Sequence, residues 1–234
     1  GEILGVAGVS GNGQQELLAA LSGEDMRVSR DAVWLDGVAA GHRSAAWRRS
    51  QGLGFVPEER LGRGTVPELS LSENVLLSHQ TAATVGRGFV RFGAIRALAQ
   101  AIISRFDVKA GGPDALAISL SGGNLQKYII GREVMRQPRV LIVAQPTWGV
   151  DVGAAAQIRA ELVALREAGC AVLVISEELD ELFEISDRLL VIAKGRISPA
   201  IPTSDASLDL IGRWMSGLWP SSNLEQQGIA HAQA

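Results

Sequence analysis

The sequence predicts an α/β fold, a largely parallel sheet covered by helices on both faces. Three features carry that expectation. Val140-Leu141-Ile142-Val143-Ala144 and Ala171-Val172-Leu173-Val174-Ile175 are short, unbroken apolar runs, as in strands buried on both sides. Between them, Ala155, Ile158, Leu162 and Leu165 step by three and four, which predicts an amphipathic helix over 154–167 with Gly169 as its stop. At the N-terminus an apolar stretch enters a glycine-rich loop and then a helical pattern. Strands alternating with helices favour parallel neighbours joined by right-handed crossovers.

Taken in order, Ile3, Leu4 and Val6 make the first strand, which runs into Gly8-Val9-Ser10-Gly11-Asn12-Gly13. A helix carrying Leu17, Leu18 and Leu21 follows and stops at Gly23. Val33 to Gly37 reads as a strand ending in a turn, and Gly52 to Val56 as a second apolar strand. Ser70 to Ser78 and Phe92 to Phe106 read as helices joined by a flexible Gly86-Arg87-Gly88 connection. Ser121 heads an apolar-patterned segment with Leu125, Ile129, Ile130 and Val134. Arg188 to Ala193 is the last strand, Lys194-Gly195 its turn, and Leu208 to Met215 a short helix. The Pro/Ser/Gln/Ala-rich remainder reads as a disordered tail over 218–234.

At 234 residues, 47% apolar and 20% charged, the chain suits one large globular domain, or a domain with a subdomain. A net charge of −3 gives no bulk attraction to nucleic acid or to an anionic membrane surface. The single cysteine, Cys170, excludes an internal disulfide and fits a reducing compartment; its place at the start of an apolar strand suits a core residue. No apolar run is long enough for a membrane span, and no signal peptide is visible, since the start shows no basic region before an apolar one. Gly1 is not an initiator, so the chain is expected to be a piece of a longer one.

Two stretches point to phosphate chemistry. The spacing from Gly8 to Gly13 fits G-x-x-x-x-G-K-[ST] as far as its last glycine, after which Gln14 replaces the lysine and Gln15 the Ser/Thr. The backbone cradle depends on glycines and amides and can survive; the ammonium for the outer phosphates and the hydroxyl for Mg²⁺ are gone. The second stretch is Ser121-Gly122-Gly123-Asn124, where a capping Ser and bare glycine amides at a helix start suit an anion. By itself that stretch equally describes a tight turn capping an ordinary helix.

Leu120-Ser121-Gly122-Gly123-Asn124-Leu125-Gln126-Lys127 resembles the signature motif of ATP-binding cassette (ABC) proteins, in the form used by simple-sugar and nucleoside importers. The resemblance runs from Gly1 to about Gly217 and keeps the family's order: glycine loop, Val56-Pro57-Glu58-Glu59-Arg60, signature, Ala144-Gln145-Pro146-Thr147 and Gly149-Val150-Asp151. Each part is weak alone, and the ordered set is specific. It implies a P-loop NTPase fold of ABC type over 1–217. That fold includes a helical subdomain at about 68–137 and an antiparallel lobe left incomplete because its first strands precede Gly1.

The resemblance also implies roles. Gly8, Ser10, Gly11, Asn12, Gly13, Gln14, Gln15 and Glu58 would line the chain's own ATP site, Glu58 standing where the family has a nucleotide-sensing glutamine. Ala144 and Gln145 replace an Asp that holds Mg²⁺ and a Glu that polarises water; Ser176 stands where a histidine meets the transferring phosphate. A strand-end Ser also reads as a helix cap, the better account of Ser176. No catalytic or metal-binding residue is therefore assigned, and Mg²⁺ is not expected in this site. Ala-Gln-Pro-Thr looks like the second cassette of nucleoside-type importers. Ser121, Gly122, Gly123 and Asn124 would then serve the ATP site of a first cassette in the same polypeptide. Permease subunits and, indirectly, a solute-binding protein are the remaining partners, on the cytoplasmic face of the plasma membrane, and ATP hydrolysis belongs to the assembly rather than to this domain alone. A structural or regulatory cassette that never hydrolyses ATP is the alternative, and a soluble non-transport ABC protein a lesser one.

Overall fold

The computed structural model describes residues 1–219. Its centre is a seven-stranded sheet. The parallel strands β1 (Glu2–Ala7), β4 (Leu53–Val56), β7 (Val140–Ala144), β8 (Ala171–Ser176) and β9 (Arg188–Ala193) lie in the order β9-β1-β8-β7-β4. Two short antiparallel strands, β10 (Arg196–Ile197) and β11 (Ile201–Pro202), both pair with β9. Small hairpins stand apart: β2 (Trp34–Leu35) with β3 (Val38–Ala39), and β5 (Val85–Gly86) with β6 (Phe89–Val90).

Side-chain alternation along the strands builds two apolar layers. Val6, Ile142, Ala144, Ile175 and Ile192 pack with Leu18 of helix α1 (Gln14–Ser22) on one face. Ile3, Leu141, Val143, Val172, Val174 and Val191 pack on the other. That second layer is covered by α5 (Gly122–Val134), α6 (Val152–Glu167), α7 (Leu179–Ile185) and α8 (Leu208–Met215). The remaining helices are α2 (Ala45–Ser50), α3 (Leu71–Asn74) and α4 (Phe92–Arg105), and α3 and α5 both pack against α4. No described helix is long and apolar enough to cross a membrane.

The structure changes some expectations. The Gly86-Arg87-Gly88 connection is an ordered hairpin: Arg87 (φ 51°) and Gly88 (φ 83°) form the mirror-image turn that matches strand twist. Ser70 to Ser78 is one short α-helical turn with a Ser70–Glu73 capping box, continued by a 3₁₀ turn over Val75–Leu77. The 154–167 helix starts two residues earlier, at Val152, capped by Asp151, whose carboxylate accepts from Ala154 N. Of the tail, residues 220–234 lie outside the described residues.

Register brings the site together. Ala7 is level with Ser176, Ala144 with Ile175, and Val56 with Val143. The loops after β1, β4, β7 and β8 therefore leave one edge of the sheet, where ligands of open α/β sheets bind.

Candidate functional site

The glycine loop joins β1 to α1 as the sequence predicts, and its backbone is drawn tight. A Cβ on Gly8 would stand 2.7 Å from Gln14 Nε2 and 2.7 Å from the Ile192 carbonyl oxygen, so only glycine fits. Gly13, with φ at 111°, precedes the helix, and no side chain caps α1.

Two of the loop's backbone donors are already engaged. Gln14 folds back: its Oε1 accepts from Asn12 N at 3.0 Å and its Nε2 donates to the Val9 carbonyl at 2.7 Å. Ser10 N donates to Glu177 Oε1 at 2.6 Å. Asn12 Oδ1 accepts from Lys194 N at 2.8 Å, tying the loop to the turn after β9. Two amides of the cradle are thus taken by the chain's own side chains, while among the described residues no acceptor meets those of Gln14, Gln15 and Glu16. The space between Ser10, Gln14, Ala144, Gln145 and Glu177 is about 10 Å³, room for one water at most.

The other predicted positions converge on the same edge. Gln15 Nε2 donates to Glu58 Oε2 at 2.9 Å. Burial, with repulsion from Glu59 and Glu177, pushes the Glu58 carboxyl above its usual range. Ala144 is buried in the apolar layer with Leu18 and has no oxygen to give a metal. Gln145 takes a left-handed backbone (φ 48°), and its Oε1 accepts from Glu177 N at 3.2 Å. A larger cleft of about 610 Å³ opens in front, lined by Ser10, Glu58, Gln145, Trp148 and Glu177 among others.

Ser176 is corrected on two counts. It shares the face of Val172 and Val174, so its hydroxyl turns away from the glycine loop and donates to Glu181 Oε2 at 2.9 Å. It is also not the cap residue of α7: Glu178 holds that position, and Ser176 Oγ accepts from Glu178 N at 3.0 Å as a turn contact. Glu177, one residue on and past the strand end, is the side chain that reaches the loop. The period of two along β8 is the signal that singles it out, since it puts residue 177 on the face of Leu173 and Ile175, toward α1, and Ser176 on the opposite one.

At the own loop Ser10 N and Asn12 N are engaged, Gln14 stands in place of a lysine, and Glu58 and Glu177 bring carboxylates to the rim, while among the described residues no acceptor meets the amides of Gln14, Gln15 or Glu16.

The Ser121–Asn124 stretch is different. Ser121 occupies the cap position of α5, yet its hydroxyl does not bond the helix amides; it accepts from Asn124 Nδ2 at 2.9 Å. Asn124 Oδ1 in turn accepts from Lys109 N at 2.8 Å. Among the described residues no acceptor meets the amides of Gly122, Gly123 or Asn124, and Ser121 and Gly122 are exposed.

A residue without an assigned role in the sequence reading sits beside them. Arg60 Nε donates to Gln126 Oε1 of α5 at 2.9 Å, and its Nη2 bonds the Trp148 carbonyl. Its Nη1 lies 2.8 Å from where a Gly122 Cβ would be. The exposed start of α5 therefore combines free amides, the helix dipole and a guanidinium, an arrangement suited to an anion supplied from outside.

The profile of a family described as ABC transporter matches residues 1–148. The chain is 40% identical over 220 residues to the glucose import ATP-binding protein TsgD13 of Haloferax volcanii, covering 93% of this chain and 40% of that protein. It is also 40% identical over 218 residues to the nucleoside import ATP-binding protein NupA of Lactococcus lactis, covering 93% of this chain and 43% of that one. The chain thus spans about two fifths of the length of these relatives. Among solved structures, a dimeric bacterial ABC transporter cassette superimposes with a TM-score of 0.71 at 18% identity, over 86% of this chain and 85% of that one.

Proposed function

The chain belongs to the ABC transporter family, and from that premise we propose that it is one cassette of a simple-sugar or nucleoside importer, with its own loop degenerate and its Ser121–Asn124 stretch given to the ATP site of a partner cassette. The relatives named for sugar and nucleoside import support the substrate class. Their greater length leaves room for a second domain of this size, consistent with a first cassette in the same polypeptide. Permease subunits, with a solute-binding protein behind them, complete the assembly and place the cassette on the cytoplasmic face of the membrane.

One observation carries the reading: the glycine loop before α1 is faced by the carboxylates of Glu177 and Glu58, whereas the start of α5 is faced by the Arg60 guanidinium. At α1, Ser10 N and Asn12 N are satisfied from within. At α5, the first amides are free and exposed beside Arg60. A cassette that gives a phosphate contact without gripping a phosphate itself would have this asymmetry. In that role α5 supplies backbone donors and the Arg60 charge to an ATP held elsewhere, and no step of hydrolysis passes through this chain's own loop.

The test compares Gly122→Asp with Gln14→Ala in the assembled transporter with its permease. Gly122→Asp places a carboxylate at the donated helix start and displaces Arg60, so ATPase activity and uptake should nearly vanish. Gln14→Ala touches only the self-filled loop and should leave most of both, with folding checked by thermal melting. Greater damage from Gln14→Ala would mean that the loop works after all. Full ATPase activity in Gly122→Asp would make the cassette a structural one.

A further inference from the structure

We propose that Glu177 is a built-in occupant of the phosphate seat in its own glycine loop, so that this loop excludes nucleotide phosphates by competition and not only by lacking groups to hold them. The inference deepens the degenerate-loop reading above and rests on it; it makes no use of the Ser121–Asn124 assignment.

The carboxylate accepts from Ser10 N at 2.6 Å, a charge-assisted bond at the short end of the range. The loop sits at the N-terminus of α1, where the helix dipole favours an anion of any origin. Glu177 is also held in place. Its backbone N–H is bonded by Gln145 Oε1 at 3.2 Å, and Ser176 behind it is fixed through its hydroxyl to Glu181 and Glu178. A tethered anion competes at the effective concentration set by a few residues of chain, and loses little freedom in binding.

Gln14 adds to the exclusion. It takes Asn12 N, so a phosphate would have to displace an amide and a carboxylate at once. The pocket behind Ser10 and Gln14 holds only about 10 Å³, so a phosphate would have to come through the cleft in front, past Glu177. Glu58, held against Gln15 at 2.9 Å, adds a second carboxylate on the path in. The cation beside Gln15, Arg63, donates to its Oε1 at 3.2 Å and is itself paired with Glu24 and Glu59 while also attracting Glu58, so it is shared among three carboxylates and makes no contact with Glu177 among the described residues.

The purified chain tests this directly. Amide NMR signals of Ser10 to Gly13 would be followed during titration with ATP, in wild type, Glu177→Ala and Glu177→Gln. Glu178→Gln serves as the control, since it removes a carboxylate beside the same cleft without touching the loop. Before any nucleotide, the Ser10 amide proton should move upfield in both Glu177 variants, because its charged acceptor is gone. On titration, both Glu177 variants should show saturable shifts confined to the loop, with affinity at least tenfold above wild type, equivalent to about 1.4 kcal/mol. Glu178→Gln should follow wild type.

An unmoved Ser10 amide overturns the contact itself. No gain in affinity in either Glu177 variant, with melting temperatures preserved, overturns the competition. An equal gain in Glu178→Gln also overturns it, since general charge would then explain everything. Tight, loop-confined ATP binding by the wild type itself would refute the degenerate-loop reading, a result read from the absolute wild-type affinity and separate from whether the Glu177 variants gain.

Discussion

Single side chains set the strongest local constraints, and Arg48 is the clearest. It is fully buried, and its guanidinium bonds only carbonyls: Ala20, Leu21 at 2.7 Å, Ala40 at 2.7 Å and Arg43 at 3.1 Å. Two of these are the last carbonyls of α1, which have no partner within the helix. Arg48→Ala should cost about 3 kcal/mol or more, because several buried acceptors lose their donor at once. For a domain of this size that lowers the melting midpoint by about 6–12 °C, readable by calorimetry. Arg48→Lys, with a compact ammonium in place of the fork, should recover less than half. His79 gives the pH dependence. Burial lowers its pKa from 6.5 to about 4, against the pull of Glu133 and with Arg136 and Arg132 pressing the same way as burial. The unfolded chain takes up the proton near 6.5 and the folded one only near 4, so stability is lost as pH falls through that window. The loss reaches about 3 kcal/mol, and His79→Gln should flatten the melting profile between those limits. Glu181, raised by burial, acts in the opposite sense but is present in both proteins and cancels in the comparison. An unchanged slope in His79→Gln would remove His79 from the account. At this scale the sequence showed what Gln14, Gln15, Ala144 and Gln145 lack, because each sits in a spaced motif. It could not show Arg48, Arg60 or Glu177, whose roles depend on which carbonyl or amide the fold brings near.

Among the elements, α5 shows how far periodicity reads. Leu125, Ile129, Ile130 and Val134 mark its apolar stripe, yet Gln126, Lys127, Arg132 and Glu133 are buried as well. They read as a solvent face because they are polar, and they are tolerated inside because they are paired. Arg132 bonds Glu133 at 3.1 Å and the Asn74 carbonyl at 3.3 Å, while Arg136 reaches the Arg49 carbonyl at 2.9 Å. Burial pushes the Glu133 carboxyl up, and the surrounding arginines outweigh it and hold it below its usual range. The five strands of the parallel sheet were legible for the opposite reason: an apolar run has few other uses. The β5–β6 hairpin was not, since two glycines around an arginine describe a flexible linker and a mirror-image turn equally well. Arg60 ties three elements together, joining the loop after β4 to Gln126 of α5 and to the Trp148 carbonyl after β7. Gln126 Nε2 adds a bond to the Pro146 carbonyl at 3.1 Å. Arg60→Ala should therefore speed amide exchange at Trp148 and Val150 and at the start of α5, with little change at α1. Protection unchanged in those segments would mean that Gln126 alone holds the junction.

For the whole molecule, the sheet order brings the chain's own loop, Glu58, Gln145 and Glu177 to one edge, while the open amides beside a guanidinium belong to α5. The purified chain with saturating Mg-ATP should accordingly release phosphate no faster than a protein blank. A repaired chain makes a sharper case. Gln14→Lys, Gln15→Thr, Ala144→Asp and Gln145→Glu would return the groups the motifs lack, and Glu177→Ala would free Ser10 N. The four repairs without Glu177→Ala should stay far less active than the five together, because the internal carboxylate still faces the loop. With all five, two copies can pair head to tail, each loop completed by the other's Ser121–Asn124. Turnover per molecule should then rise with protein concentration until the pair is saturated. Adding Gly122→Asp should abolish it, although every group of the molecule's own loop remains. Turnover independent of concentration would mean that one molecule supplies both helix starts to the same ATP, and the division of labour between α1 and α5 would be wrong.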